Sequence, residues 1–286
     1  MYGEFDLTIP KTLQEAVKSL TAGGKRAVPL AGGTNVLVDV RSQRLAPERI
    51  VDLGRIGGLR GITVDGGRVT LGPRTTVSDL LASEEIAATA PALVESARVF
   101  AGQMVRNTAT VAGNIACGSP AADLVPPLLA LDAEVTLTGT TGSRTLALCD
   151  FYTGYKSDQR APGELITAIG WPVPAKGSFG SFYKLARRKG DAITVVGVAV
   201  GLGLKGGRCV GVRIALGSVA PTPMRARKAE GLLEGEAPVP ERIARAALAA
   251  AQECSPIDDV RATGEYRRKM VEVLVARLVN NAVQTG

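Results

Sequence analysis

Two glycine-bearing segments, "PLAGGTNV" at 29–36 and "TVAGN" at 110–114, carry the residue types from which a phosphate site is built. Glycine leaves backbone N–H groups unobstructed, and successive free N–H groups at a turn or helix start stabilise an anion. In the first segment Gly32 and Gly33 provide such groups, and Thr34 and Asn35 add short polar side chains. In the second, Thr110, Gly113 and Asn114 form a similar set. Each segment alone reads as a tight turn. Together, far apart in the chain, they fit a long nucleotide gripped at several points, with its pyrophosphate against the N–H groups. Ser119, Pro120 and Asp123 follow the second segment, directly before an apolar helix and a strand.

Other chemistries are poorly supplied. The 286 residues include no histidine, so there is no histidine base, nucleophile partner or metal ligand. Cys117, Cys149, Cys209 and Cys254 are scattered without a C-x-x-C pair, a spacing that builds neither a zinc nor an iron–sulfur site. They read as small apolar residues in a reducing compartment. "GLGLKG" at 201–206 matches the dinucleotide fingerprint in letters only. It lies at the end of a strand, and "RCVGVRIAL" alternates after it as a returning strand, where the fingerprint needs a helix.

The net charge of +7 is spread along the chain, densest at Arg187-Arg188-Lys189, and suits an anionic ligand or an acidic partner. Aromatic residues make up only 4%, too few for a nucleic-acid stacking platform. Glu4 and Asp6 stand where a signal peptide would be apolar. "TVVGVAVGLGL" at 194–204 is too short to span a membrane. A cytoplasmic protein is expected.

The positioning elements follow from periodicity. "TLQEAVKSL" is a helix opened by a Thr12–Glu15 capping box, with Leu13, Ala16, Val17 and Leu20 on one face. "RAVPL", the first glycine segment and "VLVDVR" form a strand–turn–helix unit, and "RIVDL" is a second buried strand. "GITVDGGRVTLG" and "AEVTLTGTTGSRTLALCDF" are hairpins. "TTVSDLLAS" and "PALVESARVFA" are helices, the latter with Pro91 in its first turn. "GELITAIGWP" is a strand stopped by Pro172, and a linker follows it. Beyond it come three strands in meander order, then helices over 223–233, 239–253 and 264–281. Runs of strands followed by runs of helices indicate α+β architecture. The expected domains are 1–176, divided near 57, and 177–286.

Six ordered segments resemble the FAD-binding medium subunits of the molybdenum hydroxylases, the group of carbon monoxide dehydrogenase and the xanthine dehydrogenases. They are "AGGT" at 31–34, "TVAGNIACGSPAADLVPPLLALDA" at 110–133, "GELITAIGWP" at 163–172, "SFYKLARR" at 181–188, "IALGSVAPTPMRA" at 214–226 and "DVRATGEYRRKMVEVLVARL" at 259–278. The resemblance implies a two-subdomain FAD domain of the vanillyl-alcohol-oxidase (PCMH-like) type, 1–57 with 58–176. A three-stranded antiparallel sheet with a helical bundle should follow.

It further implies noncovalent FAD, its pyrophosphate cradled by Pro29, Leu30, Ala31, Gly32, Gly33, Thr34, Asn35 and Val36 and by Thr110, Val111, Ala112, Gly113 and Asn114. Asp123 matches an acid that accepts hydrogen bonds from the cofactor, and Phe100, Ile166 and Lys184 match positions around the adenine and flavin. Without the resemblance, Phe100 and Ile166 read as core, Asp123 as a helix N-cap and Lys184 as a solvated strand residue. The second loop of the family has glycine where Ala112 stands, so strain is expected there if the position needs positive φ. The cysteine-bearing insertion of relatives acting on aromatic acyl-CoA thioesters is missing.

The implied function is electron transfer. Molybdenum cofactor and [2Fe–2S] clusters would sit on a large and a small partner subunit, in a dimer of heterotrimers (a heterohexamer), with NAD, a quinone or oxygen as acceptor. No side chain of this chain is expected to be catalytic or to bind metal, and no nucleic acid is expected. Two alternatives stand beside it: a self-contained flavin oxidase of the same fold, and a flavin-free scaffold subunit.

Overall fold

The computed structural model describes residues 4–285. Strand Asp6–Thr8 (β1) leads into helix Leu13–Gly23 (α1). Thr12 Oγ1 accepts the Glu15 N–H at 3.2 Å, and the Glu15 carboxylate accepts the Thr12 N–H at 3.4 Å, the reciprocal cap expected from sequence. Strand Ala27–Leu30 (β2), helix Val36–Arg41 (α2) and strand Arg49–Asp52 (β3) complete a parallel sheet in the order β1-β3-β2. Ala16, Val17 and Leu20 of α1 bury against Val51, Leu53 and Leu165.

Strands Ile62–Asp65 (β4) and Arg68–Leu71 (β5) form the first hairpin, turned by Gly66 and Gly67 at φ 55° and 74°. Five helices follow closely, Val77–Ala82 (α3), Glu84–Thr89 (α4), Pro91–Arg98 (α5), Gln103–Arg106 (α6) and Val111–Ala116 (α7), then Val125–Ala130 (α8). Strands Glu134–Gly139 (β6) and Gly142–Ala147 (β7) make the second hairpin, and Tyr152–Gly154 (β8) pairs with Ser157–Asp158 (β9). Strand Leu165–Pro172 (β10) enters between the hairpins, giving an antiparallel sheet ordered β4-β5-β10-β6-β7. Its inward residues Val69, Leu71, Val135, Leu137, Ile169 and Trp171 pack beneath α3, α5, α7 and α8.

The last sheet is formed by Phe179–Ala186 (β11), Thr194–Lys205 (β12), Arg208–Gly217 (β13) and the two-residue Met224–Arg225 (β14). It has four strands where three were expected, because residues 224–225 pair with β13 before the helix Arg227–Leu233 (α9) begins. The letters "GLGLKG" run along β12 into a turn at Gly206 and Gly207, φ 58° and 72°, and β13 returns antiparallel. No helix opens there, so the dinucleotide fingerprint is ruled out at this position. Helices Pro240–Glu253 (α10) and Gly264–Thr285 (α11) cover one face of this sheet.

The opposite face meets α5 and α8, where Phe182, Ala199 and Ala215 join the core of the five-stranded sheet. Both faces are therefore covered, which is why residues 194–200 of β12 are all buried and lack two-residue alternation. Three acids fasten this contact. The Glu95 carboxylate accepts the Phe182 N–H at 2.6 Å and the Ser181 hydroxyl at 2.8 Å. Asp132 accepts from Arg213 and Arg225, each at 2.6 Å, and Asp123 is held by Lys184 and Thr194. No helix among the described residues is long and apolar enough to cross a membrane.

Candidate functional site

The first glycine segment leaves the C-terminal end of β2, a position where parallel strands deliver loops to ligands. Gly33 has φ 71°, which turns the chain into α2. The carbonyls of Gly33 and Asn35 accept the N–H groups of Leu37 and Asp39 at 3.0 and 2.9 Å. The N–H groups of Gly32, Gly33, Thr34 and Asn35 have no acceptor among the described residues. Four consecutive free donors at a helix entrance form an anion cradle.

The second segment is the first turn of α7. Thr110 caps this helix, its Oγ1 accepting the Gly113 N–H at 3.0 Å. The Val111 N–H goes to the Thr75 carbonyl and the Asn114 N–H to the Thr110 carbonyl, each at 2.9 Å, leaving the Ala112 N–H free. This segment is thus a smaller donor set than its composition promised. Ala112 is helical, buried and outside the positive-φ positions, so alanine in place of glycine causes no backbone strain. Asn114 turns inward, where its Oδ1 accepts the Leu124 N–H at 3.1 Å and fixes the chain before α8.

Gly32 explains how the segments meet. A Cβ there would lie 1.9 Å from the Thr108 carbonyl oxygen, so the missing side chain serves a backbone-to-backbone approach of the first segment to the chain entering the second. Between them runs a cleft of about 800 Å³, within the range of small-molecule and cofactor sites. Its wall includes Pro29, Ala31, Gly32, Gly33, Thr34, Asn35 and Val36, together with Thr110, Ala112, Gly113 and Asn114. Phe100 and Ile166 also line it, whereas Leu30, Val111, Asp123 and Lys184 do not.

Asp123 is not a helix cap, because α8 starts after Leu124 and has no side-chain cap. Its carboxylate accepts from Lys184 Nζ at 2.6 Å and from the Thr194 hydroxyl. Lys184 is not solvated either: its side chain is 6% exposed, and Nζ also donates to the Val99 carbonyl at 3.2 Å. Burial pushes the Asp123 carboxyl above its ordinary pKa, and the lysine charge and both hydrogen bonds oppose that. The pair stands behind the cleft wall, one residue from Phe100 on the Val99 side and one from the Asn114-bound Leu124 on the other.

The sequence reading missed several residues on or behind the wall. Arg106 donates from Nη1 to the carbonyls of Phe100 and Ala101 at 3.0 and 2.8 Å, holding the turn where Ala101 has φ 33°. That turn presents Phe100 to the cleft. Gly163, φ 87°, packs so closely that a Cβ would meet Thr21 Oγ1 at 2.1 Å; the Pro162-Gly163 dipeptide was its available signal. Ile193, 66% exposed, and Cys117 also line the cleft, and burial pushes the Cys117 thiol up.

The charges of the wall are mostly neutralised in pairs. Arg160 holds Asp158 through contacts of 2.9 and 2.8 Å, and Arg144 holds Glu164 through two of 2.8 Å. Among the described residues no group of three His, Cys, Asp or Glu is placed to hold a metal ion. The cleft therefore offers anion donors and an apolar lining, and both of its wall carboxylates, Asp158 and Glu164, are held by arginines.

Comparisons with known proteins agree with this geometry. Residues 3–174 match the family described as the FAD binding domain in molybdopterin dehydrogenase, and residues 181–282 match the CO dehydrogenase flavoprotein C-terminal domain. The carbon monoxide dehydrogenase medium chain of Afipia carboxidovorans is 38% identical over 98% of this chain and 97% of its own length. The xanthine dehydrogenase FAD-binding subunit of Escherichia coli is 30% identical, covering 95% of this chain and 94% of that one. A chain of the solved Cu,Mo-CO dehydrogenase, in its cyanide-inactivated form, superposes with a TM-score of 0.96 at 37% identity and covers 100% of both chains.

Proposed function

Because the chain belongs to the family of FAD-binding medium subunits of the molybdenum hydroxylases, and is thus an oxidoreductase subunit, we propose that it passes electrons from a [2Fe–2S]-bearing partner to an external acceptor. The observation that carries this reading is the row of four unpaired N–H groups, Gly32 to Asn35, opening on the cleft of about 800 Å³. Those donors fit a pyrophosphate, and the cleft has the size and apolar lining that a flavin dinucleotide requires. Bound FAD supplies the electron chemistry. The protein's part is to bind, orient and shield: the two segments hold the phosphates, while Phe100 and Ile166 offer apolar contact to the rings.

Asp123 and Lys184 enter this reading as residues that meet FAD or set the wall it rests on. The domain limits at 57 and 176 belong to it as well, and the separate matches over 3–174 and 181–282 support the second. The partners are a large molybdenum-cofactor subunit and a small iron–sulfur subunit, in a cytoplasmic dimer of heterotrimers, with NAD, a quinone or oxygen as acceptor. The FAD is noncovalent, since the chain has no histidine to carry it. A self-contained oxidase would need its own acid or base, yet Asp158 and Glu164 of the cleft wall are each held by an arginine.

Purification tests the reading. The isolated chain should be yellow, acid precipitation should release FAD to the supernatant, and elemental analysis should find neither iron nor molybdenum. Stoichiometric iron on the lone chain, or substrate hydroxylation by it, would refute the division of labour. Protein that stays colourless after incubation with FAD would favour the scaffold. Identifying co-purifying polypeptides and titrating the complex with NAD, quinone and oxygen then names partners and acceptor.

A further inference from the structure

We propose that Arg74 is a further ligand-binding residue, the cation that meets a pyrophosphate lodged between the two glycine segments. The proposal rests on the flavin reading above. Arg74 follows β5 in a stretch that runs antiparallel beside the second segment: the Val111 N–H donates to the Thr75 carbonyl at 2.9 Å, the Val77 N–H donates to the Ala109 carbonyl at 3.0 Å, and Thr76 bridges Thr110. This register brings Arg74 level with the start of α7. On its other side, Arg74 Nη1 donates to the Gly54 carbonyl at 2.9 Å. Gly54 comes two residues after Asp52, which pairs with Leu30 at the root of the first segment. Arg74 therefore reaches from beside the second segment toward the strand paired with the root of the first, and it lines the cleft.

Its guanidinium is underused. Only Nη1 is bonded; Nη2 has no hydrogen-bond partner among the described residues and is the guanidinium nitrogen left for a ligand in the cleft, while Nε is buried behind it. Arg160, also on the wall, is committed to Asp158, and Lys25 stands exposed beyond α1, whereas Arg74 is half-buried and forms no ion pair among the described residues. The neutral N–H row at Gly32–Asn35 solvates phosphate oxygens but brings no full charge. A diphosphate carries about two negative charges, and a planar guanidinium is the side chain best matched to its oxygens.

The test is a titration of the full chain, freed of cofactor, with FAD, ADP and riboflavin, followed by flavin fluorescence and calorimetry. Arg74→Gln should weaken FAD and ADP alike by about tenfold or more, and leave riboflavin unchanged. Arg74→Lys should recover part of the loss, and raised salt should weaken the wild type more steeply than Arg74→Gln. Arg60→Gln, which removes an exposed arginine of the neighbouring turn, should leave all three affinities alone. Circular dichroism screens folding, and should Arg74→Gln not fold, Arg74→Met takes its place in the affinity and salt comparisons. FAD and ADP affinities within twofold of wild type in a folded Arg74 variant that lacks the charge would overturn the assignment while the flavin reading stands. ADP binding that depends on Arg74, in a wild type that takes up no FAD, would refute the flavin reading and leave Arg74 in place. A wild type that binds neither would refute both.

Discussion

Lys184 Nζ lies 2.6 Å from Asp123 Oδ2, tying β11 of the four-stranded sheet to the residue that introduces α8. Both side chains are about nine-tenths removed from solvent, so the two charges depend on each other. Through Val99 on one side and Leu124 with Asn114 on the other, the pair braces two parts of the cleft wall.

Removing the lysine should make stability strongly pH-dependent. The Asp123 carboxyl is raised by burial, so its contribution to stability is complete below about pH 4 and is lost as pH rises through its native value. Lys184→Met removes the opposing charge and extends that loss to higher pH. Its cost relative to wild type should grow with pH, reaching roughly 3–5 kcal/mol where the carboxylate stays ionised. Urea denaturation at about pH 5, 6.5 and 8 checks this; a cost that does not vary with pH would contradict it.

The opposite sign is expected at Asp79. Its carboxylate receives two bonds from Arg60, at 2.8 and 2.7 Å, and these hold it below its ordinary pKa. A lowered carboxylate contributes stability above about pH 4 that disappears as pH falls through its native value. Arg60→Gln should therefore cost less than about 1 kcal/mol near neutrality, because the arginine is 57% exposed. The difference should vanish in acid, as denaturation curves across that range would reveal.

Gly32→Ala should separate the two glycine segments. The added Cβ would sit 1.9 Å from a backbone oxygen and 2.7 Å from its carbon, and neither can rotate away. A loss of about 1–3 kcal/mol is expected, together with weaker FAD uptake, since the N–H row moves with the loop. Melting temperature and flavin titration on one sample give both numbers. Full affinity in this variant would show that the close approach to Thr108 is immaterial to binding.

Ala112→Gly tests the helical reading of the second segment. Were the position strained, glycine would stabilise the protein. Ala112 lies inside α7 at an ordinary φ, so glycine should instead cost about 0.5–1 kcal/mol through added freedom of the unfolded chain. Thermal unfolding of the two proteins decides the sign.

Local rules were enough for much of the architecture. The Thr12–Glu15 box, the two hairpins with their turn glycines, the β2–turn–α2 unit and the meander of β11 to β13 all depend on residues a few positions apart, whose preferences survive in isolation. Local reading failed where a neighbour distant in the chain intervened. Met224 and Arg225 carry no strand signal and become β14 because β13 offers a free edge.

The cleft divides the same way. The sequence by itself determined that two small-residue segments existed and that the first would form the turn between a strand and a helix, and the structure makes that turn at a left-handed Gly33. Tertiary structure alone decided that Gly32 would press on Thr108, that Asp123 would face Lys184 and Thr194, and that Arg74 would bond the Gly54 carbonyl at the edge of the cleft. Those partners lie tens of residues apart, and burial fixes which charge meets which only once α5, α8 and the last sheet have packed. No spacing in the chain encodes a contact whose energy arises from excluding water between surfaces that are not yet adjacent.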